Sequence, residues 1–153
     1  MIVKSNNKLY NVFKQNEESM SNNTQILILD NDLSCLTTLE RILHSLGEVI
    51  CFNNALDFMN HLKTKPSPGI ILIDTNSHGF NGYEVLSKIH SLSILSDTPI
   101  LLTIKEGSIK DESTIQLSGA HDYLFKPYRL SIVQNRVKSY LELKQVKDQL
   151  KDQ

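Results

Sequence analysis

The stretch Ile70-Ile71-Leu72-Ile73-Asp74 decides the fold, because four consecutive apolar residues lead directly to one carboxylate. Such a run predicts a parallel strand that is buried on both faces and reaches the surface at its carboxyl end. Two similar apolar runs end at Asp30 and at Lys126. If the three strands are neighbours, acids and one ammonium meet at the carboxyl edge of the sheet, where open α/β sheets bind ligands.

The composition is that of one domain with short tails. The 153 residues are 40% hydrophobic, enough to bury a core without metals or disulfides. A net charge of −1 predicts no binding of nucleic acid or of an anionic membrane by this domain. The two cysteines predict buried free thiols in a reducing compartment, and the sequence has neither a signal peptide nor an 18-residue apolar span. These features favour a cytoplasmic protein.

Strand and helix periodicities alternate five times, which predicts repeated βαβ units. The fourth helix should carry Ile109, Ile115 and Leu117 on its apolar face. We divide the chain into an N-terminal arm over residues 1–24, a domain over residues 25–144, and residues 145–153 as a helix extension or the start of a linker. The arm is rich in Asn, Ser and charge, which predicts flexibility.

The motifs at the strand ends resemble the receiver domain of two-component response regulators. Gly82 lies eight positions after Asp74, Pro99 opens the fourth strand, and Lys126 and Pro127 close the fifth. The resemblance covers about residues 24–144 without insertions. It implies a flavodoxin-like, doubly wound (βα)5 parallel sheet of the α/β class, with strand order 2-1-3-4-5 and an extended C-terminal helix. Gly82 and Pro127 would be the residues that the family needs for backbone conformation and not for chemistry.

The resemblance also implies a chemistry for the site. Asp74 would accept a phosphoryl group from a histidine kinase or a phosphotransfer protein, so the domain would be a signalling module and not an enzyme. Asp30, Asn31, Asp74 and the main-chain carbonyl of Asn76 would hold Mg²⁺, a hard cation that takes oxygen ligands. Lys126 would contact the phosphoryl group. The family's Lys-Pro bond is cis, so Pro127 would aim Lys126 inward.

Besides His78 and Phe80, which replace the family's usual Pro and Met, two departures from the family pattern affect the metal site and the switch. Asn31 stands where the family usually has a second metal-binding aspartate, which predicts weak Mg²⁺ binding unless Asp32 supplies the missing charge. Ile104 stands where the family has the Ser or Thr that hydrogen-bonds the phosphoryl group and moves with the aromatic switch residue, here Tyr123. Thr103 is one position early and should point to the opposite face of the strand. The first departure therefore predicts a weaker metal site, and the second predicts a weakened switch.

These observations leave several functions open. The first is a phosphorylation-regulated module that signals to a downstream protein target through the fourth helix, fifth strand and fifth helix. The second is a degenerate receiver that serves as a phosphorylation-independent interaction or homodimerisation module. A remote alternative is a haloacid-dehalogenase-like phosphatase that uses Asp30 as nucleophile, although this leaves Lys126 and Pro127 unexplained. A flavin-binding flavodoxin shares the topology, but the carboxylates of the first loop would repel its phosphate.

Overall fold

The structure is a computed structural model that describes residues 24–64, 67–92, 95–108 and 112–151. Apart from Thr24, the predicted N-terminal arm lies outside the described residues. Within them, strands and helices alternate along the chain. In order they are β1 (Gln25–Leu29), α1 (Leu33–Leu43), β2 (Glu48–Phe52), α2 (Ala55–Thr64), β3 (Ile70–Asp74), α3 (Gly82–His90), β4 (Ile100–Lys105), α4 (Glu112–Leu117), β5 (Asp122–Lys126) and α5 (Leu130–Lys151).

The strands form one parallel sheet in the order β2-β1-β3-β4-β5, which confirms the predicted topology. The register pairs Leu29 with Ile73, Asp74 with Thr103, and Lys105 with Lys126. The carboxyl ends of β1, β3, β4 and β5 are therefore level with one another. This alignment brings side chains from four separate segments to one edge of the sheet.

Helices cover both faces of the sheet, as a parallel sheet requires. Along β3, where every residue is buried, the side chains alternate between the two layers. Ile71 and Ile73 face the layer of α2, α3 and α4, whereas Ile70 and Leu72 face the layer of α1 and α5. Each fully buried Ile or Leu stabilises the fold by about 1.5–3 kcal/mol, so this central strand anchors the core. The alternation places Asp74 on the α1 and α5 side.

The fourth helix differs from the expectation. α4 spans only Glu112–Leu117, and Ile115 is buried on its inner face. Leu117, predicted to be apolar core, is 87% exposed because it ends this short helix on the solvent side. Ile109 lies outside the described residues.

The last helix is the longest, with 22 residues. Its inner face, formed by Val133, Val137 and Leu141, is buried against the sheet as predicted. The helix continues beyond residue 144 to Lys151, whose ammonium contacts the Asp97 carboxylate. In the described part of the chain, no helix combines the length and apolarity needed to cross a membrane.

Candidate functional site

Asp74 ends β3 with its side chain buried and both oxygens occupied. Its Oδ1 lies 3.0 Å from the Lys126 Nζ and accepts a hydrogen bond from the Thr103 hydroxyl at 3.3 Å. Its Oδ2 accepts a hydrogen bond from the Ser77 hydroxyl at 2.6 Å. The residue is only 4% exposed, so these contacts replace water around a charged group. The Asp74 carboxylate is therefore held in one orientation at the carboxyl edge of the sheet.

Lys126 connects the ends of three strands. Its ammonium donates to Asp30 Oδ2 at 2.8 Å while it also contacts Asp74. Burial alone would lower the pKa of Lys126, but the hydrogen bonds to Asp30 and Asp74 and the neighbouring Tyr128 raise it above its ordinary value. The group therefore stays charged. The peptide bond between Lys126 and Pro127 is cis.

The first acidic loop divides its two carboxylates between two tasks. Asp30 is buried, and its Oδ1 accepts the Asp32 N–H at 2.8 Å. Burial raises the pKa of Asp30 and outweighs the opposing effects of Lys126 and that N–H. Asp32 instead caps α1, because its Oδ1 accepts both the N–H and the hydroxyl of Ser34 at 2.9 and 2.8 Å. These hydrogen bonds lower the pKa of Asp32.

One cavity of about 380 Å³ contains most of the predicted site. Asp74 and Lys126 lie on its wall, and the exposed Asn31 and His78 stand at its opening. The complete lining is Asp30, Asn31, Asp32, Cys35, Asp74, Asn76, Ser77, His78, Lys105 and Lys126. Cys35 and Cys51 are free but only half-buried, whereas the sequence predicted buried thiols.

The donor set of this cavity fits a hard divalent cation. Two carboxylates, Asp30 and Asp74, face one ammonium, so the three groups leave one net negative charge. Asn76 lines the same cavity, and its amide and main-chain carbonyl are further oxygen donors. Among the described residues, no cluster of three or more His, Cys, Asp or Glu side chains could hold a metal. An ion here would rely on few protein ligands and several waters, which is typical of Mg²⁺ and unlike Zn²⁺.

Gly82 explains the fixed spacing after Asp74. A Cβ on Gly82 would lie 2.3 Å from the carbonyl oxygen of Asp74, so only glycine lets α3 begin this close to β3. Asn81 caps the helix by accepting the Tyr83 N–H at 2.9 Å. The loop of residues 75–81 is therefore held at both ends, which positions Ser77 over Asp74.

The two switch positions lie away from Asp74. Ile104 is 2% exposed and packs in the layer of α2, α3 and α4, on the other face of β4. Tyr123 packs against the same layer, makes an edge contact with the Phe125 ring, and accepts a hydrogen bond at its carbonyl from Arg136 at 2.6 Å.

The sequence analysis missed two contacts. Thr103 does point away from Ile104, as expected, but Asp74 lies on that same side because the two residues are register partners. This contact depends on the register between β3 and β4, which no local pattern in the sequence gives. Ser77 bridges Asp74 and the main-chain N–H of Asn31 at 3.1 Å, and no local pattern predicts a contact across 46 positions.

Comparisons with known proteins agree with this fold. The model of the response regulator receiver domain matches residues 26–138. Two-component response regulator ARR14 of Arabidopsis thaliana is 32% identical over 113 residues, which cover 72% of this chain and 29% of ARR14. Transcriptional regulatory protein PrrA of Mycobacterium leprae is 29% identical over 119 residues, covering 76% of this chain and 49% of PrrA. The chain thus spans less than half the length of these relatives.

Solved structures give the same result. A signal receiver domain from Vibrio parahaemolyticus superposes with a TM-score of 0.74 at 18% identity, covering 83% of this chain and 96% of the other. DrrB of Thermotoga maritima, an OmpR/PhoB homologue, gives a TM-score of 0.66 at 26% identity, covering 79% and 54%.

A sheet in this strand order, with carboxylates and a lysine at its carboxyl edge, defines a signalling domain of the flavodoxin-like class. The chain belongs to the response regulator receiver domain family and is a module of two-component signalling. Receiver domains generally signal without enzymatic activity of their own, act with histidine kinases and downstream effectors, and often dimerise. The family assignment replaces the phosphatase and flavodoxin alternatives.

Proposed function

We propose that Asp74 accepts a phosphoryl group from the phosphohistidine of a histidine kinase or a phosphotransfer protein. The observation that carries the proposal is the contact of Asp74 with Lys126 at 3.0 Å inside an open cavity. An Asp74 oxygen forms the bond to phosphorus while the phosphorus–nitrogen bond breaks, and the departing imidazole takes a proton from solvent. Lys126, already charged, moves to a phosphoryl oxygen, because ammonium groups bind phosphate as point charges.

The proposed cofactor is Mg²⁺, held by Asp30, Asp74 and the main-chain carbonyl of Asn76. When bound, the ion offsets the repulsion between the incoming phosphoryl group and the carboxylates. Asn31 offers an amide oxygen without charge, so the affinity is weak. Asp32 contributes little, because its carboxylate is engaged in capping α1.

A second function is favoured by Ile104. A phosphoryl group shifts a two-state surface only through a contact that differs between the states, and Ile104 has no hydroxyl to make one. The same fold would then serve as a phosphorylation-independent interaction or homodimerisation module. In both cases the partner-binding surface is the one formed by α4, β5 and α5, where Phe125 and Ile132 are exposed. The free thiols support the cytoplasm as the site of action.

Labelling with acetyl phosphate tests the acceptor. Intact mass should show one phosphoryl group on the wild type in Mg²⁺ and none after chelation. Asp74→Asn should abolish the label, whereas Asp57→Asn, at an exposed carboxylate on α2, should retain it. A label that survives Asp74→Asn and disappears in Asp30→Asn would contradict the proposal.

A second measurement separates the two functions. Beryllofluoride can mimic the phosphoryl group. One solved relative is a BeF3-activated DrrB receiver domain, which is 26% identical with a TM-score of 0.65 and covers 78% of this chain and 97% of the other. Amide shifts should then change on the α4, β5 and α5 surface if phosphorylation regulates it. Binding of beryllofluoride with no change on that surface would favour the degenerate receiver.

A further inference from the structure

The polar group that remains unexplained by this function is the hydroxyl of Tyr128, directly after Pro127. The oxygen is fully buried, and among the residues that the structure describes it has no hydrogen-bond partner. An unpaired buried hydroxyl costs free energy, so the position calls for an explanation. Burial raises the pKa of the Tyr128 phenol, so the group keeps its proton and remains a donor.

The polar groups that influence the Tyr128 phenol belong to the functional site. The Thr103 hydroxyl is near enough to influence the Tyr128 phenol but makes no hydrogen bond with it, and the charges of Lys126 and Asp30 also act on the phenol. Thr103 is 1% exposed and donates its single proton to Asp74. A hydroxyl has one proton and two lone pairs, so the Thr103 oxygen could accept a hydrogen bond from Tyr128 if the side chain were released from the rotamer that its bond to Asp74 holds.

The other side of Tyr128 reaches a different surface. Together with Arg129, Ile132 and Val133 it lines a groove of about 280 Å³ between β5 and the start of α5. Tyr128 also packs against the core layer that contains Leu124 and Val133. A movement of its ring would therefore be transmitted to the first turns of α5.

We propose that Thr103 senses the modification of Asp74 in this chain and that Tyr128 carries the change to the start of α5, a role that rests on the proposed phosphorylation. Modification converts the Asp74 carboxylate to an acyl phosphate, whose remaining carboxyl oxygen is a weaker acceptor, and draws Lys126 towards the phosphoryl oxygens. The Thr103 hydroxyl is then free to rotate and pair with Tyr128. The buried phenol has no partner in one state and has one in the other, which is the differential contact that a switch requires. The route runs on the face of β4 opposite to Ile104 and Tyr123.

The test compares the wild type with Thr103→Val and Tyr128→Phe, each with Mg²⁺ and with or without beryllofluoride. Fluorine NMR reports binding, and carbon NMR reports the Val133 methyl groups. We expect bound beryllofluoride to shift the Val133 signals in the wild type and both variants to lose most of that shift. Thr98→Val, which removes a buried hydroxyl at the opposite end of the sheet, should behave as the wild type.

Thermal melts give an independent readout. Without beryllofluoride, Tyr128→Phe should melt at or above the wild-type temperature, because it removes an unpaired hydroxyl. With beryllofluoride it should melt below the wild type. Bound beryllofluoride with an unchanged Val133 shift in both variants overturns the Thr103 to Tyr128 route alone. Absence of any bound beryllofluoride in the wild type overturns this route and the proposed function together.

Discussion

The substitution Asn31→Asp should have opposite effects with and without Mg²⁺. Asn31 stands exposed at the cavity opening, while its main-chain N–H holds Ser77, so a carboxylate can replace the amide without disturbing the loop. Unit charges 4 Å apart interact by about 1 kcal/mol in water. Without metal, the added charge meets a site that already carries one net negative charge, so the unfolding free energy should fall by about 1 kcal/mol.

With Mg²⁺, the doubled charge of the ion doubles the interaction to about 2 kcal/mol, which corresponds to roughly thirtyfold tighter binding. Amide-shift titration measures the affinity, and melts in Mg²⁺ or chelator measure the stability, with about 2–8 °C expected per kcal/mol. Asn60→Asp, on the exposed side of α2, adds the same charge far from the site and should leave Mg²⁺ binding unchanged. Equal Mg²⁺ affinity in the wild type and Asn31→Asp would refute this account of the weak site.

Three further predictions follow from single contacts. Gly82→Ala should lower the unfolding free energy by about 1–3 kcal/mol, because the added Cβ overlaps the Asp74 carbonyl, and it should slow acetyl-phosphate labelling. The control Ser87→Ala, on the exposed side of α3, should change the unfolding free energy by no more than about 0.5 kcal/mol. Asp32→Ala should cost about 1 kcal/mol through the lost α1 cap and leave Mg²⁺ affinity unchanged, and a weaker affinity would make Asp32 a metal ligand. His121 accepts the Ile100 N–H at 3.0 Å and its pKa is lowered, first by burial. The unfolding free energy, measured with denaturant, should therefore fall as the pH drops below about 6.5, since the imidazole of the unfolded chain binds the proton first. It should stop falling below the pKa of the folded state. His121→Asn should lack this pH-dependent loss of stability.

The sequence was sufficient for the sheet because its signals are local. The apolar run before Asp74, the glycine at position 82 and the proline at position 127 each constrain the backbone where they occur, and the strand order followed from the family resemblance. The length of α4 was not predictable in the same way. Ile115 is apolar and buried, as a core position should be, but Leu117 is equally apolar and is exposed at the end of the helix.

The site was predictable where it depends on strand ends and unpredictable where it depends on loops and register. Asp30, Asp74 and Lys126 meet because each closes a buried strand of one sheet. The hydrogen bond from Ser77 requires the path of a seven-residue loop, and the one from Thr103 requires the register between β3 and β4. Such long-range geometry leaves no periodic signal in the chain.

The alternation along β3 has an evolutionary consequence. Every residue of this strand is buried, and neighbouring residues face opposite helical layers. Deleting or inserting one residue in this strand would turn Asp74 towards the opposite helical layer, and the apolar side chains on one side of the change would also face the opposite layer. A point substitution does not shift this alternation, so side chains at the rim, such as Asn31, can diverge while the number of residues in β3 up to Asp74 cannot change. A receiver that accumulates substitutions would therefore lose its functional side chains one at a time, long before the side-chain alternation of β3 changes.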